Sequence, residues 1–355
     1  MLRSLSSFTL VLFSCFVLHA QIGGDNVYEF VNLPPSARIT ASGGNLIVIK
    51  DDDLNLAMQN PSLLNPKMHK QFSVSSVIFP GKINYGYVTF AKDYENIATF
   101  HTSMQYIAYG KFQEADVTGQ INGEFGASEF SATLGGGRQY EKYSYGANFK
   151  FIYSQLKDYS SVGMALDFAA TFHDTAKLFT AALVIRNVGG QLKPYRSDHR
   201  ENLPFEIQAG FSKKLGKAPF RINVTAHNLQ TANIRYDDGS NDNVNILSVD
   251  STQQTEEKKY IFDKIMRHFI ISTELYFGKV ITVRLGYNHL RRQEMKVATK
   301  GGLTGVSFGF GVKVKKFRID YGMAKHHLGG TSNHFSITTN LSKVVSNNLV
   351  KSPNE

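Results

Sequence analysis

The feature that most constrains this chain is a two-residue alternation of apolar and polar side chains that recurs from about residue 71 onward. In one example Phe205, Ile207 and Phe211 alternate with Glu206 and Gln208. Successive side chains of a strand point to opposite faces, so each such segment has one apolar and one polar face. The segments are roughly ten residues long, which exceeds the usual strand of a soluble sheet and suits a tilted membrane strand.

Fourteen segments of this kind are predicted, an even number as in single-chain bacterial barrels. They lie near 71–79, 84–92, 97–109, 125–137, 143–154, 160–172, 177–187, 204–215, 219–228, 267–278, 280–290, 303–314, 316–324 and 333–342. The predicted fold is therefore all-β: a transmembrane antiparallel up-and-down β-barrel of about 14 strands. An N-terminal irregular segment with short helices is expected to plug or underlie its periplasmic mouth.

The lengths of the connections favour a membrane barrel over a soluble sandwich. If both ends of the strand region are periplasmic, the connections after even strands are short, as at 93–96 and 173–176. Most connections after odd strands are longer, with 229–266 the longest, although the first, 80–83, is short. Short periplasmic turns and longer outer loops are typical of outer-membrane barrels. We therefore expect an outer-membrane protein with loops exposed at the cell surface.

Charged residues at the polar positions of the strands are expected to face the lumen. A lysine or arginine on the lipid face near the bilayer midplane costs about 2–4 kcal/mol. In lipid the sheet must also close, because every backbone polar group needs a partner. The residues expected inside are Lys150, Asp167, Glu206, Arg221 and Glu274.

The N-terminus has the pattern of a secretory signal peptide. Arg3 precedes an apolar stretch at 8–18, and Ala20 supplies the small residue of a cleavage site. Cys15 is the single cysteine, so a mature chain would hold no cysteine-based metal site or nucleophile. Reading Cys15 as a lipoprotein cysteine is the weaker alternative, because Phe13 stands where a small residue is needed.

The predicted organisation is a signal peptide at 1–20, an N-terminal plug at 21–70, a barrel at 71–342 and a polar tail at 343–355. The plug lacks sustained alternation and carries Asn-Pro turn signals at 60–61 and 65–66. A short helix is expected at 53–59, before Pro61. A kink is expected at Gly135–Gly137, since strand glycines often mark bends.

Several stretches resemble the PorQ and PorV proteins, barrels of the type IX secretion system of Bacteroidetes-type bacteria. They are VYEFVNLPPSARITASGG (27–44), DDD (51–53) and AMQNPSLLNP (57–66); the stretches LPFEIQAGFSKKL (203–215) and APFRINVTAHNLQ (218–230) are closer to PorQ. The residues of the chain that carry the N-terminal motif are Ser36, Ala37, Arg38, Gly43, Gly44, Asp52, Asn60 and Pro61. ITASGG at 39–44 and the absence of tryptophan depart from the family pattern.

The resemblance implies a FadL-like barrel that anchors an attachment complex in the outer membrane and does no chemistry itself. Its implied partners are a PorZ-like surface protein, a PorU-type sortase, PorV, the lipid bilayer and lipopolysaccharide. That complex removes C-terminal signals from cargo and couples the cargo to anionic lipopolysaccharide. The alternative is FadL-like transport of small hydrophobic molecules; an envelope enzyme is the third hypothesis. No cofactor or nucleic acid is implied, and the net charge of +10 is spread along the chain.

The remaining candidates are short motifs and loops. Ser154 and Lys157 match S-x-x-K, but that chemistry needs a helix, and the serine ends a strand-like run. His326, His327 and His334 form no complete metal-ligand set, and the oxygen-rich stretch 237–243 lacks the spacing of a calcium loop. Loops 229–266 and 188–203 are the candidate partner-binding sites. The residues named there are Tyr236, Asp237, Asp238, Tyr260, Phe262 and Tyr195.

Overall fold

The computed structural model describes residues 26–79, 81, 83–197, 199–234, 261–295, 302–327 and 330–342. The predicted signal peptide, the tail after 342 and the stretch 235–260 lie outside these residues. No helix within the described ranges is long and apolar enough to cross a membrane.

Fourteen antiparallel strands form one closed barrel in chain order. They are β1 (Gln71–Ile78), β2 (Asn84–Tyr94), β3 (Ala98–Ala115), β4 (Ile121–Tyr140), β5 (Tyr143–Leu156), β6 (Tyr159–Asp174), β7 (Phe179–Lys193), β8 (Glu206–Lys214), β9 (Phe220–Ala226), β10 (Phe269–Phe277), β11 (Ile281–Asn288), β12 (Val306–Val314), β13 (Phe317–His327) and β14 (Gly330–Asn340). β1 closes the barrel against β14, from Gln71 opposite Asn340 to Ile78 opposite Asn333. The predicted fold is confirmed.

The two faces of the wall have opposite chemistry, as the alternation predicts. In β1 the side chains of Ser73 and Ser75 point inward and are buried, whereas Val74 and Ile78 are exposed on the outside. Lys150, Asp167, Glu206 and Glu274 are likewise buried in the lumen, and Arg221 is mostly buried there. The outer face is apolar around the barrel, with exposed phenylalanine, leucine, isoleucine and tyrosine. An apolar outside around a polar inside is the arrangement of membrane barrels.

The barrel has a terminal end, where β1 begins and β14 ends, and an opposite loop end. All six connections at the terminal end are short, the longest joining β8 to β9 across 215–219. At the loop end the longest connection joins β9 to β10 across 227–268. The β3–β4 connection differs from the predicted loop at 110–124, because both strands extend and leave only 116–120 between them. A stacked Phe112–Phe125 pair supports the extension.

The N-terminal segment, the plug (residues 26–70), lies inside the barrel. It contains one helix, Ala37–Ala41, and four 3-10 turns at Glu29–Asn32, Leu54–Leu56, Pro61–Leu63 and Pro66–Met68. The helix predicted at 53–59 is thus only a 3-10 turn, because the Asp53 side chain caps it at Asn55 and the chain turns again before Pro61. The plug has an apolar core of its own, which includes the fully buried side chains of Ile39, Leu46 and Leu63.

Candidate functional site: the plug and its seat

The plug helix is fixed at both of its ends. The Ser36 side chain caps the N-terminus by accepting from the Ile39 amide at 3.4 Å. The Ala37 amide donates to Ser336 Oγ of β14 at 2.9 Å. After the helix, Gly43 and Gly44 have φ of +94° and +105°, a left-handed conformation that side-chain-bearing residues rarely adopt. These two glycines therefore let the chain turn sharply into the buried stretch Leu46–Ile49.

Arg38 joins the plug helix to the barrel wall through a buried forked ion pair. Its Nε and Nη2 atoms donate to the two carboxylate oxygens of Glu274 in β10, at 2.8 and 3.0 Å. Its Nη1 atom lies 2.8 Å from Asp51 and 3.0 Å from Asp53, both in the plug. Arg38 is only 2% exposed, so this is a desolvated charge with its full set of partners. The planar guanidinium is suited to such two-oxygen contacts.

Further arginines of the wall extend this network. Arg284 of β11 lies 2.9 Å from Glu274 and 2.7 Å from Asp320 of β13. Arg318 of β13 bridges Asp320 and Asp53 at 2.9 and 3.2 Å. Burial raises the pKa of Asp53, but the charges of Arg318 and Arg38 outweigh burial and hold that pKa below its usual value. The network therefore ties one side of the plug to three strands.

On the opposite side, glycines of the wall make room for the plug backbone. A Cβ atom on Gly146 of β5 would lie 2.5 Å from the carbonyl carbon of Pro61, and one on Gly137 of β4 would also collide with that carbonyl. Asn60 donates to Thr171 Oγ1 of β6 at 3.1 Å. The strand register is unbroken through Gly135–Gly137, so there is no β-bulge at the predicted kink. The close approach of the Pro61 backbone explains Gly137 and Gly146.

The plug helix is seated in the same way. A Cβ on Gly322 of β13 would collide with the carbonyl of Ala37, and one on Gly309 of β12 would lie 2.6 Å from Ala41 Cβ. Near the loop end, Gln105 of β3 donates to the Phe30 carbonyl at 2.7 Å. Polar and steric contacts thus hold the plug from many strands around the circumference.

The residues predicted from the family motif meet in this plug. The plug helix is formed and fixed by Ser36, Ala37 and Arg38, and it ends at Gly43 and Gly44. The contact with strands β4 to β6 on the opposite side of the wall is made by Asn60 and Pro61. Asp52 pairs with Lys313 of β12 at 3.1 Å near the terminal end, where both side chains are about half exposed. Sequence reasoning missed the arginines Arg284 and Arg318. The signal that the sequence offered for these two arginines was a charged residue at an inward-facing position of a predicted strand.

Two of the six predicted partner-binding residues, Phe262 and Tyr195, lie within the described residues. Phe262, on a helical stretch at 261–266, is 64% exposed. Tyr195 is half-buried, packs beside the plug residues Val27 and Tyr28, and donates its hydroxyl to Ser154. Tyr236, Asp237, Asp238 and Tyr260 lie outside the described residues, as does the oxygen-rich stretch 237–243.

The short catalytic and metal motifs have structural roles where they are described. Ser154 is buried in β5, whereas Lys157 lies in the turn after β5 and forms an ion pair with Glu114. Ser154 and Lys157 are therefore not one helical turn apart. His334 faces the lumen and is 1% exposed. Among the described residues no group of three or more histidine, cysteine, aspartate or glutamate side chains is placed to hold a metal. The side chains of His326 and His327 are not described.

The outer face carries one apolar depression of about 790 Å³ across β3 to β7. Small outward residues, Gly136, Ala147 and Ala170, form its floor, and larger apolar side chains such as Phe100 and Phe168 form its rim. It lies on the outside of the strands whose inward glycines seat the plug.

The fold is similar to that of two solved transport barrels. The Ralstonia pickettii toluene transporter TbuX superposes with a TM-score of 0.51 and 10% identity, over 88% of this chain and 98% of that chain. The CymD monoaromatic hydrocarbon channel gives a TM-score of 0.50 and 10% identity, over 88% and 97%. No family model matches the sequence, and no curated protein matches it. At this identity the likeness shows a shared barrel fold.

Proposed function

We propose that this protein is a non-enzymatic outer-membrane anchor of a type IX secretion attachment complex, holding a PorZ-like surface protein beside the sortase. One observation carries the proposal: the motif residues behind the PorQ resemblance are those that fix the plug in the lumen. Arg38 contacts Glu274 and Pro61 contacts Gly146, on opposite sides of the wall. A plug held this firmly suits a rigid platform.

The loop end supplies the surface for such a partner. The connection 227–268 is by far the longest between strands, and Phe262 near its end is exposed. An exposed aromatic residue on a long loop is a frequent anchor in protein interfaces. The tip of the β3–β4 hairpin at the same end, where Val117 is fully exposed, is not part of the proposed surface.

A pull-down tests the anchor function. The tagged protein is isolated from outer membranes in mild detergent, and its partners are identified by mass spectrometry. Recovery of a PorZ-like surface protein from the wild type, and its loss on deletion of 237–258 or in Phe262→Ser, is the expected result. Val117→Ser is the matched control, since it removes an exposed apolar side chain from another loop. A barrel recovered alone would contradict the proposal.

Transport of small hydrophobic molecules is the second candidate, and the structural comparisons favour it over the anchor. TbuX is a toluene transporter and CymD is a monoaromatic hydrocarbon channel. The apolar depression on the outer face is a place where such a molecule would meet the wall. Toluene uptake by cells with and without the protein tests this function. Uptake that requires the protein and falls in Ala147→Leu, but not in Gly86→Leu on another outer face, would support transport.

A further inference from the structure

A second polar group lies in the lumen, apart from the Arg38 network. It consists of Arg186 of β7, Glu206 and Gln208 of β8, His227 after β9 and Arg291 after β11, here called the luminal polar cluster. Arg186, Gln208 and His227 are 2%, 0% and 4% exposed. Arg186 and Glu206 are register partners, and Gln208 and His227 lie next to Ala209 and Ala226, the pair at which the β8–β9 ladder ends. The side chains therefore converge on one side of the plug.

Within the described chain, several buried donors of this cluster have no hydrogen-bond partner. They are Nε and Nη1 of Arg186, Nε2 of Gln208 and Nη1 of Arg291. Arg186 places only Nη2 in a hydrogen bond, to the Val31 carbonyl of the plug at 3.2 Å. Its Nη1 lies 3.5 Å from Glu206, too far for a good hydrogen bond. Buried donors normally have partners, so the unpartnered donors on the adjoining strands β7 and β8 indicate a binding site.

The charges in the cluster are also unbalanced. Arg186 Nη1 and His227 Nδ1 lie 3.5 and 3.8 Å from the carboxylate of Glu206, whereas Arg291 forms no ion pair among the described residues. The exposed Glu29 has its own partner in Asn26. Burial lowers the pKa of Arg291 to about 10, and no nearby carboxylate opposes that shift. A buried guanidinium without a counter-charge is costly, and water cannot supply the missing charge.

Arg291 belongs to the cluster by position as well as by charge. Its guanidinium packs against the plug turn, with Nη2 2.9 Å from where a Cβ of Gly44 would lie. Burial is the largest cause that lowers the pKa of His227, the charge of Glu206 opposes it, and the charge of Arg291 is among the smaller causes that lower it. The charge of Arg291 therefore acts at the place where Gln208 and His227 present their free atoms.

We propose that the luminal polar cluster binds a small oxyanion, a carboxylate or phosphate group, between the plug and strands β7 to β9. Guanidinium groups recognise such groups through paired N–H donors. Gln208 Nε2 supplies a neutral donor, and Glu206 holds Arg186 in place. The anion is either free in solution or the head group of an amphiphile. This site depends on neither function proposed above.

The test measures the thermal unfolding of the full chain in detergent, read as the heat-dependent mobility shift of folded barrels on gels. The probes are inorganic phosphate and octanoate, each compared with sodium chloride at equal ionic strength, and 1-octanol serves as the uncharged analogue. We expect a saturable rise in unfolding temperature with at least one anion. Octanoate alone would identify an amphiphile head group, and phosphate alone a free anion.

Two variants locate the site. Arg291→Gln and Gln208→Leu should each weaken the apparent affinity by about 10-fold or more, because each removes a buried donor to a charged group. Arg292→Gln is the matched control, since Arg292 lies with Arg291 on the short helix His289–Met295 but donates to the Gly302 carbonyl. If Arg291→Gln does not fold, Gln208→Leu alone decides. No stabilisation beyond chloride, or equal affinity in the variants, would overturn the proposal.

Discussion

Replacing Arg38 by methionine should loosen the plug while leaving the barrel folded. The substitution keeps much of the side-chain volume and removes the charge that holds Glu274, Asp51 and Asp53 together. Breaking a buried ion pair by removing one partner costs about 3–5 kcal/mol. In this variant Glu274 still pairs with Arg284, and Asp53 still pairs with Arg318, so part of the charge compensation for the carboxylates remains. We therefore expect about 3 kcal/mol, near the lower limit of that range.

Hydrogen–deuterium exchange measures this effect directly. A loss of about 3 kcal/mol corresponds to roughly 100-fold faster opening of the plug, confined to residues 37–56. Strand β6, which has no contact with Arg38, serves as the internal reference. Lys313→Met is the matched control: its pair with Asp52 is about half exposed, and such pairs contribute roughly 0–1 kcal/mol. Unchanged exchange at 37–56 would refute the reasoning, as would an equal increase in every strand.

Three further predictions test the plug seat, its charge and the outer face. Gly146→Ala should destabilise the plug by about 1–3 kcal/mol or more through collision with Pro61, whereas outward-facing Gly86→Ala should be neutral, measured by exchange as above. Burial lowers the pKa of Lys50 to about 8, below its value of about 10.4 in the unfolded chain, so the unfolded chain binds more protons between these two pH values. Unfolding experiments should therefore show stability rising from about pH 8 towards 10.4, and this rise should be absent in Lys50→Met. Leu134→Arg on the outer face should cost about 2–4 kcal/mol if lipid covers it, seen as reduced membrane insertion.

The strands were predictable from the sequence because their signal is local. Alternation of two residues assigns each side chain to a face, and the burial of Lys150 and Glu274 agrees with that assignment. The ends of β3 and β4 were less predictable. Beyond the apolar band both faces are exposed, so the alternation fades, although the backbone ladder continues through Phe112 and Phe125.

The contacts of the plug were not predictable from one sequence. Arg38 and Glu274 are 236 residues apart, and nothing local marks them as partners. The glycines at 135–137 were expected to form a kink, because a strand glycine signals either a bend or the close approach of another chain segment. For Gly137, the position of the Pro61 carbonyl shows the close approach of the plug, which the sequence alone does not reveal.

The firmly held plug bears on both candidate functions. A transporter with this plug must either move it, breaking the Arg38 network, or route its substrate around it. An anchor needs neither, and its plug gains from every contact that fixes it. Arg38→Met separates the two: a looser plug should leave a surface partner bound at the distant loop end. In a transporter that opens by moving its plug, the same variant should change the rate of uptake. Measuring both uptake and partner recovery in this variant therefore tests whether the plug belongs to a transporter or to an anchor.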